Sequence, residues 1–348
     1  MVSINLNLLK CRKNEKVINA ISKLNTNGLQ ILLIINEKNN YVGTLTDGDI
    51  RRGFIKGLNL ESEISEIVNY NSTYASNLLE KEKLKIICQK KKLKHLPLIN
   101  NKNKIVDLYI PKDSSEKKII ENHFIIMAGG KGTRLRPKTK NLPKALIPVL
   151  NKPLIKHIID KAIDEGFRNF IISTNYLKGK IKKYLGNGSK LNVNITYIDE
   201  KKFLGTVGSL SKLKPKNKLP ILITNCDVLT KIRYDELLKY HTSKKNNVAT
   251  ISAKNYDINI PFGVLKTEKN RFVNVTEKPS FSYLINAGVY IIDQKILKLI
   301  KKNQYMDMTT LFNKIPKKEK VVVYPFYEKW FDIADIGDIK KANINFYD

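Results

Sequence analysis

The sequence predicts an α/β protein: a doubly wound, mainly parallel sheet covered by helices, preceded by a small α+β module. Three observations lead there. The first 115 residues contain a repeat at a fixed offset. Residue 123 begins a buried strand that runs into a glycine-rich turn. Beyond that turn, helical and strand patterns alternate to about Asn247. At roughly 100–200 residues per domain, a chain of 348 holds two or three. The boundaries read as a module at 1–115, a linker at 116–122 and a larger domain at 123–348.

The repeat aligns IINEKNNYVGTLTDGDI, from Ile34, with LINNKNKIVDLYIPKDS, from Leu98. Ile35-Asn36 matches Ile99-Asn100, Lys38-Asn39 matches Lys102-Asn103 and Val42 matches Val106, always 64 residues apart (99 − 35, 106 − 42). Each copy holds a helical stretch, an apolar strand, an Asn-rich turn and a second strand. Val17, Ile18, Ile21 and Leu24 fall at helical spacing; Leu29–Ile35 and Tyr41–Leu45 read as a hairpin. Two such copies bury their apolar faces on each other.

The polar stretch Pro111–Asn122 reads as a linker or a surface helix. After it, Leu154, Ile155, Ile158, Ile159, Ala162 and Ile163 form one helical face, and Leu177, Ile181, Tyr184 and Leu185 another. Asn169–Ser173, Val193–Ile198 and Pro220–Thr224 read as strands. Strands dominate from Asn247 to Ile292. A helix from Gln294, one near Met308, a strand at Val321–Tyr324 and a last helix from Ile336 complete the chain.

Composition narrows the classes. No stretch approaches the roughly 20 apolar residues of a membrane span, and the N-terminus has no signal-peptide pattern. Three cysteines, Cys11, Cys88 and Cys226, form no CxxC pair. That argues against a disulfide framework or a zinc site and points to a reducing cytoplasm. The net charge of +31 is spread along the whole chain. No nucleic-acid module accompanies it, so the charge is read as a field that attracts phosphorylated substrates.

The chemistry is concentrated in a few segments. Met127-Ala128-Gly129-Gly130-Lys131-Gly132-Thr133-Arg134-Leu135-Arg136-Pro137 follows a strand. It is not GxGxxG, and no P-loop lysine motif is present. The physics is shared: glycines let backbone N–H groups approach an anion, and arginines supply forked donors for phosphate. Alone, such a segment could be a plain tight turn. Together with Pro143–Pro153 (PKxLxPVxxKP), however, GGxGTRLxP resembles the signature of the sugar nucleotidyltransferases, over roughly Phe124–Phe346. The resemblance implies a Rossmann-like fold and a triphosphate bound by Ala128, Gly129, Gly130, Gly132 and Thr133. Arg134 then holds the β and γ phosphates, and Lys144 the α-phosphate.

Other segments fit the same family. Asp227 follows the strand Pro220–Thr224; by itself it reads equally as a helix cap or a loop residue. The resemblance makes it a ligand of Mg2+, a cation that takes one or two carboxylates plus phosphate oxygens. Trp330-Phe331-Asp332 matches the family's second metal aspartate. The residues after it depart from the usual pattern, which leaves Asp335 as an alternative. Glu277-Lys278-Pro279, otherwise a solvated turn, resembles an EKP motif whose Glu takes sugar hydroxyls and whose Lys neutralises the sugar phosphate. Asn286-Ala287-Gly288 resembles the strand beside the sugar, and Leu204–Ser209 the LGTAG loop, with Gly205 at the base and Gly208 at the sugar. The implied reaction needs no nucleophilic side chain: the anionic oxygen of a sugar 1-phosphate attacks the α-phosphorus and pyrophosphate leaves.

The front repeat resembles a pair of CBS motifs. Thr46 and Asp49 carry the T-x-x-D pattern that contacts an adenine nucleotide; the second copy has Ile110 and Pro111 in the pattern but Asp113 at the position of Asp49. CBS pairs stack, so a homo-oligomer is expected. A CBS pair fused to this domain resembles the glucosamine-1-phosphate guanylyltransferases of bacterial legionaminic acid synthesis, which feeds flagellin glycosylation. A glucose-1-phosphate thymidylyltransferase or another hexose-1-phosphate guanylyltransferase stays open. So does a non-catalytic scaffold, although such relatives lose the residues retained here as Arg134, Asp227 and Lys278.

Overall fold

The computed structural model describes residues 5–111, 119–215 and 217–346. It separates into two units, Met1–Ser115 and Glu116–Asp348. In the first unit the chain forms β1 (Lys10–Arg12), α1 (Val17–Asn27), β2 (Ile31–Ile35), β3 (Tyr41–Thr46) and α2 (Asp47–Ile55). It then forms β4 (Ala75–Ser76), α3 (Lys81–Lys91), β5 (Leu96–Ile99) and β6 (Ile105–Tyr109).

The two halves are built alike. β1 runs parallel to β2 and β2 antiparallel to β3; β4, β5 and β6 repeat that arrangement. α1 and α3 start 64 residues apart (81 − 17), and the ladder irregularities at Ile34/Ile35 and Leu98/Ile99 share that offset (98 − 34). Asn39 and Asn103 both take a left-handed backbone in the turns, a conformation that Asn tolerates better than most residues. Leu9, Leu33, Ile35, Ile99, Ile105 and Leu108 share one buried cluster, so each half covers the other. Asp113, the second copy's counterpart of Asp49, lies outside the described residues.

The second unit starts with β7 (Ile120–Ala128). This corrects the 116–122 linker at its C-terminal end. Ile120 pairs with Phe167, and the amide of the buried Asn122 donates to the Pro220 carbonyl at 2.7 Å. A satisfied side chain lets a polar residue sit in a strand. There follow β8 (Pro148–Val149), β9 (Lys152–Pro153), α4 (Leu154–Asp164), β10 (Phe167–Thr174), α5 (Lys178–Leu185), β11 (Asn194–Asp199), β12 (Ile221–Asn225), β13 (Val228–Thr230) and α6 (Tyr234–Ser243). The chain ends through β14 (Asn247–Asn259), β15 (Val264–Glu268), β16 (Arg271–Thr276), β17 (Ser280–Ile292), α7 (Met308–Lys314), β18 (Lys320–Phe326), β19 (Trp330–Asp332) and α8 (Ile336–Asn345). The helix expected from Gln294 is a 3-10 turn, Gln294–Leu299, closed by short-range bonds such as Ile300 N–H to Leu297 C=O at 3.1 Å.

Seven strands form the main sheet in the order β11-β10-β7-β12-β17-β14-β18. All run parallel except β17, which is antiparallel to both neighbours. Alternate residues of β7 face opposite layers. Phe124 and Ile126 pack with α4, α5 and α6 residues such as Ile158, Ile181 and Leu237; Ile125 and Met127 pack with Met308 and Leu311 of α7. Both faces are covered, which explains the continuous apolar run. No helix among the described residues is long and apolar enough to cross a membrane.

Phe124 is fully buried, with ring centroids 5.1 Å from Phe167 and 5.0 Å from Tyr234. Phe124→Ala is expected to cost about 3–5 kcal/mol of unfolding free energy, read from urea denaturation.

Candidate active site

β7 and β12 are parallel neighbours at the centre of the sheet. From β7 the chain winds outward to β10 and β11, then returns to β12 on the other side. Their C-terminal ends therefore flank the crevice where the winding reverses, the usual ligand position in such sheets.

The turn after β7 is shaped by close approaches. A Cβ on Gly129 would lie 2.7 Å from a carboxylate oxygen of Glu200. Gly132 has φ +60, and a Cβ there would lie 3.0 Å from Lys144 Cβ and from Thr139 Cγ2. Thr139 fixes the turn by donating its hydroxyl to the Gly132 carbonyl at 2.7 Å. The stem of Lys144 is thus laid along the turn. Thr133–Leu135 then makes one 3-10 turn, anchored by buried Leu135, with Arg134 exposed.

Lys144 Nζ donates to Asp227 Oδ2 at 2.7 Å, with the two side chains 10% and 24% exposed. Asp227 lies just beyond β12. β13 pairs with β19 so that Val228 faces Asp332, and the Ile333 N–H donates to the Asp227 carbonyl at 3.0 Å. Partial burial, then the charge of Asp227, push the Asp332 carboxyl above the usual range; Lys144 and Arg134 pull it down. Arg134, Lys144, Asp227 and Asp332 therefore share one electrostatic neighbourhood.

Asp335 is engaged elsewhere. Its carboxylate accepts the Asp338 N–H at 3.0 Å, while Asp338 accepts the N–H groups of Asp335 and Ala334 at 3.0 and 2.9 Å. This reciprocal cap starts α8.

A cavity of about 220 Å³ gathers Gly129, Gly130, Gly132, Thr133, Arg134, Lys144, Gly205 and Asp227. Ala128 is the buried strand end behind it. Gly208 opens a 3-10 turn against the Gln304 carbonyl. Gly288, at φ +74, abuts the Asn225 side chain at the end of β12, and its N–H donates to Asn286 at 3.1 Å. Glu277 and Lys278 stand exposed between β16 and β17, outside that lining. In the first unit, the Thr46 N–H and hydroxyl donate to Asp49 at 2.8 and 2.6 Å, and Arg52 also donates to Asp49, at the start of α2.

Several cavity residues escaped the sequence reading, Glu200 and Phe203 among them. Glu200 is 3% exposed and accepts from the Leu204 N–H and the Ser173 hydroxyl, both at 2.9 Å. Burial pushes its carboxyl up. Its position just beyond a predicted parallel strand, like that of Asp227, is the signal that could have found it.

Among the described residues no group of three or more His, Cys, Asp or Glu side chains gathers for a metal. Two carboxylates in one neighbourhood, the pKa of the second raised by burial and then by the charge of the first, suit a hard cation that draws its remaining oxygens from phosphate and water. Asp227 and Asp332 are the residues that could hold such a cation.

A family model described as "Nucleotidyl transferase" matches residues 123–347. The chain belongs to the nucleotidyl transferase family. Family relatives include a bifunctional protein GlmU of Methanocaldococcus jannaschii, 34% identical over 63% of this chain and 53% of that protein. A mannose-1-phosphate guanyltransferase of Pichia angusta is 30% identical over 62% and 61%. The chain therefore spans between half and two-thirds of the length of these curated relatives. The crystal structure of HddC from Yersinia pseudotuberculosis shares the fold, with a TM-score of 0.51 over 65% of this chain and 99% of that one, at 23% identity.

Asp227→Asn removes the negative neighbour and is expected to lower the Asp332 pKa toward the ordinary carboxylate range, read by carboxyl-carbon NMR titration. An unmoved Asp332 would separate the two carboxylates.

Proposed function

We propose that this chain joins a hexose 1-phosphate to a nucleoside triphosphate and releases pyrophosphate, with glucosamine 1-phosphate and GTP as the substrates and GDP-glucosamine as the product. The observation that carries the reading is Lys144 held 2.7 Å from Asp227 in a cavity shared with Arg134 and the glycine turn. That arrangement suits two polyanions brought together where charge must be neutralised.

The reaction forms a bond from the sugar-phosphate oxygen to the α-phosphorus and breaks the bond to the bridging oxygen, which leaves with pyrophosphate. The turn amides cradle the triphosphate, Arg134 takes the β and γ phosphates, and Lys144 takes the α-phosphate as its charge grows. Asp227 and Asp332 would hold Mg2+, which when bound adds further neutralisation. Glu277, Lys278, Asn286, Gly288 and Gly208 are assigned to the sugar and its phosphate on the family resemblance.

Glu200 supports guanine. A carboxylate accepts from adjacent donors, and guanine offers N1–H beside its 2-amino group. Thymine and uracil offer one N–H between two carbonyls, and adenine offers a ring acceptor there. The relatives named mannose-1-phosphate guanyltransferase make mannose 1-phosphate the second sugar to test.

For the first unit, the two like halves 64 residues apart support a CBS pair, with Thr46 and Asp49 contacting an adenine nucleotide. The fused architecture supports a homo-oligomeric enzyme serving legionaminic acid synthesis. Three buried free cysteines support a cytoplasmic setting.

Lys144→Ala is expected to lower turnover by about 10²–10³-fold, measured by pyrophosphate release; unchanged turnover would remove Lys144 from the mechanism. Glu200→Gln is expected to reduce kcat/KM for GTP by about tenfold or more, the loss of a charged hydrogen bond, while sparing UTP. The raised pKa of Glu200 adds a pH effect. As pH falls through the raised pKa one oxygen gains a proton and becomes a donor, so the group can no longer accept from both guanine N–H groups, and KM for GTP begins to rise above the ordinary carboxylate range. Glu200→Gln abolishes that limb.

A further inference from the structure

Two large aromatics stand exposed at the rim of the cavity, where burial does not explain them. Phe203 lines the cavity and is 43% exposed; Tyr305 is 61% exposed. Their ring centroids lie 6.1 Å apart at 65°, an edge-to-face pair. Neither ring is left to wander. The Leu204 N–H donates to Glu200 at 2.9 Å, which folds residues 201–203 back over that carboxylate. The 204–207 and 306–307 segments are then laced together. The Met306 N–H donates to the Leu204 carbonyl at 2.9 Å, and the Val207 N–H to the Met306 carbonyl at 3.1 Å. Asp307 accepts the Thr206 N–H at 3.1 Å and the Tyr305 hydroxyl at 2.7 Å. Gly205, at φ +80, permits this approach: a Cβ there would sit 2.5 Å from the Met306 carbonyl oxygen.

We propose that Phe203 is the stacking platform for the base of the bound nucleotide, and that Tyr305 is a positioning residue that braces it edge-on. This rests on the nucleoside-triphosphate reading above. A base whose hydrogen-bonding edge meets Glu200 has its flat face within reach of a ring three residues further along a folded-back loop. Stacking is tolerant of base identity, but a purine offers a larger face than a pyrimidine. The rim therefore adds a preference for purine nucleotides to whatever Glu200 selects.

The test uses the full chain. In steady-state pyrophosphate release, Phe203→Ala raises KM for GTP about tenfold, leaves kcat and the sugar-phosphate KM unchanged, and affects UTP less. Phe203→Tyr restores the GTP KM; Tyr305→Ala gives a smaller rise in the same parameter. In a second measurement, Phe203→Trp adds an indole to the lone native Trp330, and its added fluorescence is quenched saturably by GTP. An unchanged GTP KM in Phe203→Ala overturns the proposal. So does an equal loss for GTP, UTP and sugar phosphate, or fluorescence of Phe203→Trp that GTP does not alter. Should the wild type release no pyrophosphate with any substrate pair, the transferase reading fails. The fluorescence titration then still decides whether this rim stacks a base.

Discussion

The contact between Lys144 and Asp227 ties the loop after one central strand to the end of its neighbour. A partly buried ion pair of this kind is weak evidence of stability, because desolvation offsets much of the attraction. Its consequence is positional. Lys144 is held at the mouth of the crevice by Asp227 and by the Gly132 turn. Under the proposed function, phosphate oxygens entering there would meet a lysine already in place, so little reorganisation would accompany the build-up of charge.

The remaining architecture converges on that contact. The switch in winding between β7 and β12 opens the crevice, and the layers on both faces of the sheet hold the two strands rigid. The pairing of β13 with β19 brings Asp332, more than a hundred residues downstream, beside Asp227. The α8 cap engages Asp335 with Asp338, next to Ala334 of the cavity lining. The large positive net charge complements this local arrangement by attracting anions from solution, an effect that salt screens.

Much of this was legible in the sequence because it is encoded locally. The front repeat shows as matched residues at one offset, and the glycine turn shows as a strand meeting residues with little side chain. What was not legible depends on partners far along the chain. Asn122 looks like linker until its amide finds Pro220. That Asp335 forms a reciprocal cap with Asp338 while Asp332 pairs opposite Val228 depends on the fold of the last strand and helix. The direction of β17 is likewise set by distant partners: its buried end, Ala287–Ile292, lies between β12 and β14 and runs against both. Glu200 was missed because no motif spacing carries it, and its placement comes from Gly129, Ser173 and Leu204 closing around it.

The proposed reaction turns on attack of a sugar-phosphate oxygen at the α-phosphorus, so the sugar phosphate keeps every one of its oxygens. The most direct measurement is 31P NMR of a reaction of GTP, Mg2+ and glucosamine 1-phosphate labelled with 18O at its non-bridging phosphate oxygens. All of the label is predicted in the sugar-bearing phosphate of the nucleotide sugar, one atom of it in the new bridge, and none in pyrophosphate. Label in pyrophosphate, or pyrophosphate released at the same rate without any sugar phosphate, would contradict it.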